Sequence, residues 1–236
     1  MERDQKWLEH QIHDDDETGE DKDFVFNLFA QEVPYETMEY EFPNVPKISI
    51  QSQTETPTST GLALWLGSEK MCGYLANHPE LVSGKKVLEL GAGVGLCGII
   101  ASHLNASRVV LTDGDTSVLT NLRKNIEDNT VSSNTNSITS RQLIWGKNLD
   151  QFEKIDVILA ADCVYMNQSL GPLFKTVDHL LKSDGLLIYV NFCASQAPLK
   201  MVLDKANTHG LIWTQPEEKV YLFRRKNNRH KTFNLI

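Results

Sequence analysis

The sequence predicts an α/β fold built on a mostly parallel, doubly wound sheet. From Lys85 onward, short apolar segments of strand length alternate with amphipathic segments of helix length. The strand segments lack a polar residue at every second position, which is typical of a parallel sheet covered by helices on both faces. A glycine-rich turn at 91–98 joins the first of these strands to its helix. At 236 residues, the chain is long enough to bury such a core without disulfides or metal ions.

The N-terminal region precedes this pattern and is predicted to add an acidic extension and a short β extension. Residues 1–23 carry ten acids and three bases, a composition typical of a solvated segment. We therefore expect residues 1–33 to form a flexible extension and residues 34–236 to form a single α/β domain. Two short strands are predicted on either side of a Pro-Asn-Val-Pro turn, over 40–42 and 47–51.

The next elements follow from apolar periodicity and from residues that begin or end helices. A helix is predicted over 62–78, where Pro79 ends it. Asp115 has the position and side chain of an N-cap for a helix over 116–129. The other elements predicted in this part of the chain are a strand at 87–90, a helix at 95–104, a strand at 109–112, strands at 141–145 and 155–160, and a helix at 170–181.

The C-terminal part is predicted to complete the sheet. A Ser-Asp-Gly turn at 183–185 leads into a strand over 185–192, which is followed by a helix that ends near His209. Trp213 and the apolar run 220–223 have no helix between them. We therefore expect them to form a hairpin that gives the sheet an antiparallel edge strand.

Composition excludes several classes of protein. No apolar run reaches the ~20 residues of a membrane helix, and the acidic N-terminus differs from secretory and mitochondrial signals. The four cysteines lack a C-x-x-C spacing, so neither a disulfide framework nor a zinc site is expected. We expect a cytoplasmic monomer without a bound metal, with a nuclear location also open. A body near neutral charge argues against nucleic acid or a membrane as a partner.

The segment VLELGAGVGLCG at 87–98 can bind a ligand in either of two registers. Read from Gly93, it is G-x-G-x-x-G, the pattern of dinucleotide sites. Read from Gly91, it places the carboxylate of Glu89 just ahead of the first glycine. Both registers place a cofactor over the turn at the carboxyl ends of the strands. In both, Asp113 at the end of the second strand suits a ribose diol.

Two acids favour the second register. Glu89 lies in the first strand, and Asp162 ends the apolar strand IDVILAAD. Phosphates bind helix N–H groups and are repelled by nearby carboxylates, whereas carboxylates attract the ammonium and sulfonium groups of S-adenosylmethionine. We therefore predict that the ligand of this turn is S-adenosylmethionine, a cationic methyl donor. Gly98 is then interpreted as a glycine that lets the helix pack closely.

With these motifs in place, the chain resembles methyltransferase family 16, whose members include lysine methyltransferases of non-histone proteins. The resemblance covers roughly residues 45–200 and implies a seven-strand Rossmann-like methyltransferase domain. It rests on VLELGAGVG at 87–95, LTD at 111–113, LIW at 143–145, AADCVY at 160–165 and an upstream Trp-containing segment, GLALWLGSEKMCGYL. By position, the resemblance implies donor contacts at Trp65, Gly91, Ala92, Gly93, Asp113, Trp145 and Ala161, to which the charge argument adds Glu89.

The resemblance also implies a transfer site at the D-x-x-Y motif formed by Asp162 and Tyr165. Asp162 would orient the acceptor amine, and Tyr165 would wall its channel. The expected reaction transfers methyl from S-adenosylmethionine to a lysine of a protein substrate and leaves S-adenosylhomocysteine. Three alternatives stay open: another acceptor, such as a protein histidine, an N-terminus or a small molecule; a donor-binding interaction module without activity; and, least favoured, an NAD-dependent reductase.

Overall fold

The computed structural model describes residues 33–54, 58–130 and 137–226. The predicted acidic extension, apart from its last residue, lies outside these residues, and so its predicted flexibility stays a prediction. None of the described helices is both long enough and apolar enough to cross a membrane.

A two-stranded antiparallel hairpin comes first among the described elements. It consists of β1 (Glu36–Tyr40) and β2 (Ile48–Ser52). Ile48 and Ile50 on β2 are fully buried in the core, whereas the strand residues between them are partly exposed. This alternation is that of a strand with one buried face. The predicted N-terminal β extension is present, but its first strand, predicted over 40–42, ends at Tyr40.

Seven strands form the main sheet within the described residues. In chain order they are β3 (Lys86–Leu90), β4 (Arg108–Asp113), β5 (Ile138–Gln142), β6 (Ile155–Ala161), β7 (Leu181–Val190), β8 (Leu211–Glu217) and β9 (Val220–Arg225). Their order across the sheet is β5-β4-β3-β6-β7-β9-β8. The chain runs outward from β3 to β5 and then returns to place β6 on the other side of β3. Ligands of open α/β sheets bind at such a reversal, beyond the carboxyl ends of the strands.

Helices cover both faces of this sheet. Those the structure describes are α1 (Leu66–Asn77), α2 (Leu96–His103), α3 (Thr116–Asn129), α4 (Leu170–Leu180) and α5 (Leu199–Thr208). The first three helices and the hairpin pack on the face that carries Val87, and α4 and α5 pack on the face that carries Leu88. Neighbouring residues of β3 therefore enter two different cores, which confirms the predicted doubly wound α/β fold.

Asparagines of α3 hold the hairpin on the domain. The side-chain amide of Asn125 accepts from the Gln51 N–H at 2.9 Å and donates to the Gln51 carbonyl at 3.0 Å. Asn129 makes the same pair of bonds with Ser49, at 2.9 and 2.7 Å. These side chains satisfy the backbone groups of β2 that a further strand would otherwise pair. Because Asn125 also donates to the carbonyl of Val94 at 2.9 Å, the hairpin is tied to the glycine-rich turn.

Two predicted element boundaries were wrong around the tryptophans. The strand predicted over 141–145 is β5, which ends at Gln142, and only its first residue is buried. The residues of the strand therefore give only a weak apolar pattern. Leu143 and Trp145 follow the strand and pack against the core from a loop, and their apolar side chains moved the predicted boundary. The helix predicted from Leu62 begins at Leu66, since Trp65 is extended, with φ −103° and ψ 145°.

Two details of the C-terminal part also differ from expectation. The turn predicted at 183–185 lies inside β7, because α4 ends at Leu180 and the strand begins at the next residue. The closing hairpin is present, but its antiparallel member β9 pairs with β7 and lies second from the edge. The edge strand β8 is antiparallel to β9 and therefore runs in the same direction as β7.

Candidate active site

The glycine-rich turn leaves β3 in a conformation that ordinary residues rarely adopt. Gly91 and Gly93 have φ of +64° and +53°, in the left-handed region that favours glycine. The N–H of Ala92 between them donates to the carbonyl of Thr112 at 2.9 Å, and the N–H of Gly93 donates to Asp113 Oδ2 at 3.1 Å. The turn is thus fixed to the end of the neighbouring strand β4.

The turn also lies against two other segments too closely for side chains. A Cβ on Gly91 would stand 2.7 Å from the Cβ of Cys163, and a Cβ on Gly93 would stand 3.0 Å from the carbonyl oxygen of Gly61. Gly98 is a packing residue, as predicted, because a Cβ there would stand 2.6 Å from Cγ of Leu111. Close approach therefore requires glycine at all three positions, and at Gly91 and Gly93 the backbone angle requires it as well.

Asp113 lies at the carboxyl end of β4, beside the turn. Besides the bond from Gly93, its Oδ1 accepts from the N–H of Asp115 at 3.0 Å. Burial raises the pKa of the Asp113 carboxyl, and the backbone N–H groups that donate to it act in the opposite direction. These contacts hold the carboxylate at the sheet edge, in the place expected for an acceptor of ribose hydroxyls.

Each of the two tryptophans is linked to one glycine of this turn, Trp145 directly and Trp65 through the loop that carries Gly61. Cζ2 of Trp145 is 3.5 Å from the position of a Cβ on Gly91, and the ring is partly buried. Trp65 donates its indole N–H to the carbonyl of Thr60 at 3.0 Å and so closes the loop that carries Gly61. Trp145 thus borders the donor side directly, and Trp65 fixes the segment that packs on Gly93.

Glu89 lies beneath the turn rather than on its open side. Its side chain is 2% exposed, and Oε2 accepts from the N–H of Gly98, in the first turn of α2, at 2.8 Å. Burial raises the pKa of this carboxyl to about 8, although the Gly98 N–H favours the ionised form. Burial therefore favours the protonated form of this carboxyl over the ionised form that the predicted donor contact assumes. Its contact with the donor stays a prediction.

Asp162 follows β6 directly and joins three segments through one carboxylate. Oδ2 accepts from the N–H of Gly67, at the start of α1, at 2.9 Å. Oδ1 accepts from the N–H of Phe192 at 2.7 Å, and the N–H of Cys193 lies 3.2 Å from the same oxygen. The residue itself has φ +44°, a strained conformation of the kind that clusters at functional sites. The aspartate predicted to be catalytic therefore also has a structural task.

Tyr165 lies on the surface, three residues after Asp162 in the chain. Its side chain is 52% exposed. The Asp162–Tyr165 segment is fixed by hydrogen bonds between Val164 and the buried segment that contains Gln196. Oε1 of Gln196 accepts from the N–H of Val164 at 2.9 Å, and the N–H of Ala197 donates to the Val164 carbonyl at 2.7 Å. The Nε2 of this buried glutamine has no hydrogen-bond partner among the described residues.

The structure brings the predicted site residues to one edge of the sheet and separates them into two groups. The donor group lies around the turn, and the acceptor group lies around Asp162; Cys163 against Gly91 joins them. Ala161 is the last residue of β6 and lies directly between the groups, 8% exposed. Sequence reasoning missed Gly61, Gly67, Phe192 and Gln196. Only the two glycines left a signal, since they flank the Trp-containing segment.

These residues fit S-adenosylmethionine. The turn provides a cradle in which a Cβ on Gly91 or Gly93 would meet a neighbouring segment within 3.0 Å, and Asp113 provides a fixed carboxylate for a ribose. Among the described residues, no three His, Cys, Asp or Glu side chains converge in a way that could hold a metal ion. The glycine turn and the acid on β4 are shared with dinucleotide sites. Together with the seven-strand order β5-β4-β3-β6-β7-β9-β8, they fit the class of S-adenosylmethionine-dependent methyltransferases.

Comparison with known proteins places the chain within this class. The family model described as lysine methyltransferase, that of methyltransferase family 16, matches residues 44–205. The chain belongs to this family. Its fold is similar to that of the Thermus thermophilus 16S rRNA N2 G1207 methyltransferase RsmC, with a TM-score of 0.59 and 16% identity over 84% of this chain and 53% of that one. At this identity the likeness concerns the fold alone.

Relatives with curated names agree with the family. A protein N-lysine methyltransferase METTL21A of Xenopus tropicalis is 34% identical over 53% of this chain and 57% of its own length. A calmodulin-lysine N-methyltransferase of Arabidopsis thaliana is 34% identical over 53% of this chain and 42% of its own length. The chain therefore spans about half the length of the curated relatives it matches.

Proposed function

We propose that this protein transfers a methyl group from S-adenosylmethionine to the side-chain amine of a lysine in a protein substrate. The observation that carries the proposal is the contact between the donor turn and the D-x-x-Y segment. A Cβ on Gly91 would stand 2.7 Å from the Cβ of Cys163, the residue next to Asp162. The two reaction partners would thus meet across one residue. The names of the relatives, which specify lysine, support this choice of acceptor.

The donor side needs binding and orientation from the chain. S-adenosylmethionine supplies an electrophilic methyl group on a sulfonium. Asp113 would accept hydrogen bonds from the ribose hydroxyls, and the ring of Trp145 would pack on the flat base. The N–H groups of Ala92 and Gly93 are already bonded to β4, so the turn keeps its shape without a ligand. Such preorganisation aligns the donor, and alignment can contribute several kcal/mol to an in-line displacement.

The acceptor side must present a neutral amine. At pH 7, deprotonation of a lysine with the reference pKa costs about 4.6 kcal/mol, and burial beside a sulfonium lowers that cost because both disfavour the ammonium. An ionised carboxylate offers about four acceptor positions, and backbone N–H groups of three residues occupy most of those on Asp162. The remaining position would accept one N–H of the amine and aim its lone pair at the methyl group. Tyr165 would form the exposed wall of the entrance.

Labelled methyl donor tests this proposal directly. The full chain is incubated with S-adenosylmethionine carrying a labelled methyl group and with cell lysate, and labelled proteins are hydrolysed to amino acids. We expect label on methylated lysine. Label on histidine, an N-terminal amine or a small molecule would show that this group, and not lysine, is the acceptor. Tight donor binding without transfer would instead indicate an interaction module, and quenching of nicotinamide fluorescence on binding would indicate a reductase.

We further propose that the protein acts as a monomer in the cytoplasm, with a nuclear location also open. The absence of a paired cysteine motif and of a long apolar run in the sequence supports a reducing compartment. Light scattering on the purified chain, with fluorescence microscopy of the tagged protein, tests both parts. A stable dimer in solution or a location in the secretory pathway would contradict them.

A further inference from the structure

The surface around Asp162 is built from three segments without charged residues. We name residues 58–68, 163–174 and 191–199 the collar. The first contains Gly67 and the third contains Phe192, both of which donate to the Asp162 carboxylate, and the second begins at the next residue along the chain. No Asp, Glu, Lys or Arg occurs in the collar, although these residues form 23% of the chain. Solvated protein surfaces usually carry a quarter to a third of such residues.

Large apolar side chains are exposed on all three segments of the collar. Leu66 is 54% exposed, Tyr165 is 52%, Met166 is 44% and Phe192 is 40%. A single exposed apolar side chain is normal on a protein surface. Here they lie on segments that bond through their backbone to one functional carboxylate or follow it directly in the chain. Exposed apolar surface beside a functional group is a feature of interaction sites.

Charges that border the collar largely offset one another. The β8–β9 turn approaches the collar where the carbonyl of Lys219 accepts from the N–H of Asn191 at 3.2 Å. On this side Glu217 forms an ion pair with Lys70 at 2.7 Å, and the two remaining charged residues of the turn, Glu218 and Lys219, have opposite signs. On this side of the collar, the charges therefore provide no field of one sign that would select a strongly acidic or strongly basic substrate segment.

We infer that the acceptor lysine of the substrate lies in an uncharged segment, with at least one large apolar side chain within two residues of it. This inference rests on the proposed function and specifies its substrate. Apolar neighbours would bury their surface against Leu66, Tyr165 and Phe192 and so leave water. Acidic or basic neighbours would lose hydration against the collar without a partner. The same contacts would exclude water from the lysine, which favours the neutral amine.

Synthetic peptides of one length, each with a single central lysine, test the inference. The flanking positions are apolar, acidic or basic, and methylation by the full chain with labelled S-adenosylmethionine is measured at low and high salt. We expect kcat/KM to be roughly tenfold higher or more for apolar flanks, with little dependence on salt. A preference for charged flanks, or no preference, overturns the inference. Lysines labelled in lysate proteins are mapped and their neighbours compared in the same way.

Surface variants with matched controls test the collar itself. Leu66→Ser and Phe192→Ser remove collar side chains, and Ile212→Ser and Met201→Ser remove side chains of similar exposure, 50% and 41%, elsewhere. We expect the collar variants to raise KM for the acceptor about tenfold, with donor affinity and Tm unchanged, and the controls to change neither KM nor kcat. Equal effects in both pairs, or none in the collar pair, overturn the inference. Failure of the wild-type chain to methylate any peptide or lysate lysine would refute the proposed function itself.

Discussion

The carboxylate of Asp162 accepts a hydrogen bond at 2.9 Å from the N–H of Gly67, which lies 95 residues earlier in the chain. This bond fixes the start of α1 to the transfer site. A Cβ on Gly67 would stand 2.5 Å from the Asp162 carboxyl carbon, so only glycine permits the approach. The acid of the D-x-x-Y motif is therefore held in place by a helix that belongs to a different part of the sequence.

Substitution Gly67→Ala is expected to displace Asp162 and lower kcat by roughly 100-fold, because a shift of about 1 Å in a reacting group can cost that much. Donor affinity should change little, since the glycine turn is a separate contact. Gly73→Ala in the same helix is the matched control, because a Cβ there would meet nothing within 4 Å. The control should keep full activity and gain up to about 1 kcal/mol of stability. Equal activity of the two variants would contradict the assigned role of Gly67.

Alanine substitutions of the two aspartates of the site should affect different quantities, kcat for one and donor affinity for the other. Asp162→Ala is expected to reduce kcat by roughly 100-fold or more with donor affinity kept, because the change affects the acceptor side. Asp113→Ala is expected to weaken donor binding roughly tenfold or more while retaining most of kcat at saturating donor. Calorimetry with S-adenosylhomocysteine and initial rates at saturating donor separate the two effects. Full activity of Asp162→Ala at saturating donor would refute its assignment.

Glu89 is expected to make the stability of the protein depend on pH. Burial raises its folded-state pKa to about 8, above the ordinary carboxyl value of 4.5. Between these values the unfolded chain releases the proton while the folded protein keeps it, so stability falls as pH rises, with a slope of up to about 1.4 kcal/mol per pH unit. Below pH 4.5 and above pH 8 this contribution is constant. Chemical unfolding of wild type and Glu89→Gln across this window should show a flatter profile for the variant.

Donor binding should also change the protonation of Glu89 if the cation of the donor lies within reach of its field. A nearby positive charge lowers the pKa of a carboxyl, so binding near pH 7.5 should release protons. Calorimetry in buffers of different ionisation enthalpy measures this release. We expect more release with S-adenosylmethionine than with S-adenosylhomocysteine, which lacks the sulfonium charge, and little difference between them in Glu89→Gln. Equal proton release for both ligands in wild type would show that Glu89 does not lie within reach of the donor's sulfonium charge.

Gln196 is expected to act as a positioning residue for the D-x-x-Y segment. Gln196→Ala leaves the buried N–H of Val164 without an acceptor, which costs about 1–3 kcal/mol and frees the backbone next to Tyr165. We expect a lower kcat and a higher KM for the acceptor, with donor affinity unchanged, and partial rescue in Gln196→Glu, which keeps an acceptor oxygen. Gln151→Ala, an exposed glutamine outside the collar, is the control and should match wild type. A loss of Tm alone, with kcat and KM unchanged, would show a purely structural role.

Local sequence patterns predicted most of the fold because they reflect local physics. The helix predicted over 116–129 and its N-cap Asp115 agree with the structure, since the apolar spacing and the cap bond to the Ser117 N–H lie within one segment. Strand β6 was recognisable because a strand buried on both faces is continuously apolar. The edge strand β5 was misplaced because it buries only one residue, so packing outside the strand dominated its pattern.

The sequence by itself determined the fold class, the glycine turn and the acids that follow the strands, because each depends on residues close together in the chain. The tertiary structure decided how those acids are used. It showed Glu89 as a buried carboxyl at a helix N-terminus and Asp162 as the acceptor of N–H groups from Gly67 and Phe192. Burial and hydrogen bonds between distant segments set the charge and orientation of a carboxyl, and neither is encoded in the residues beside it.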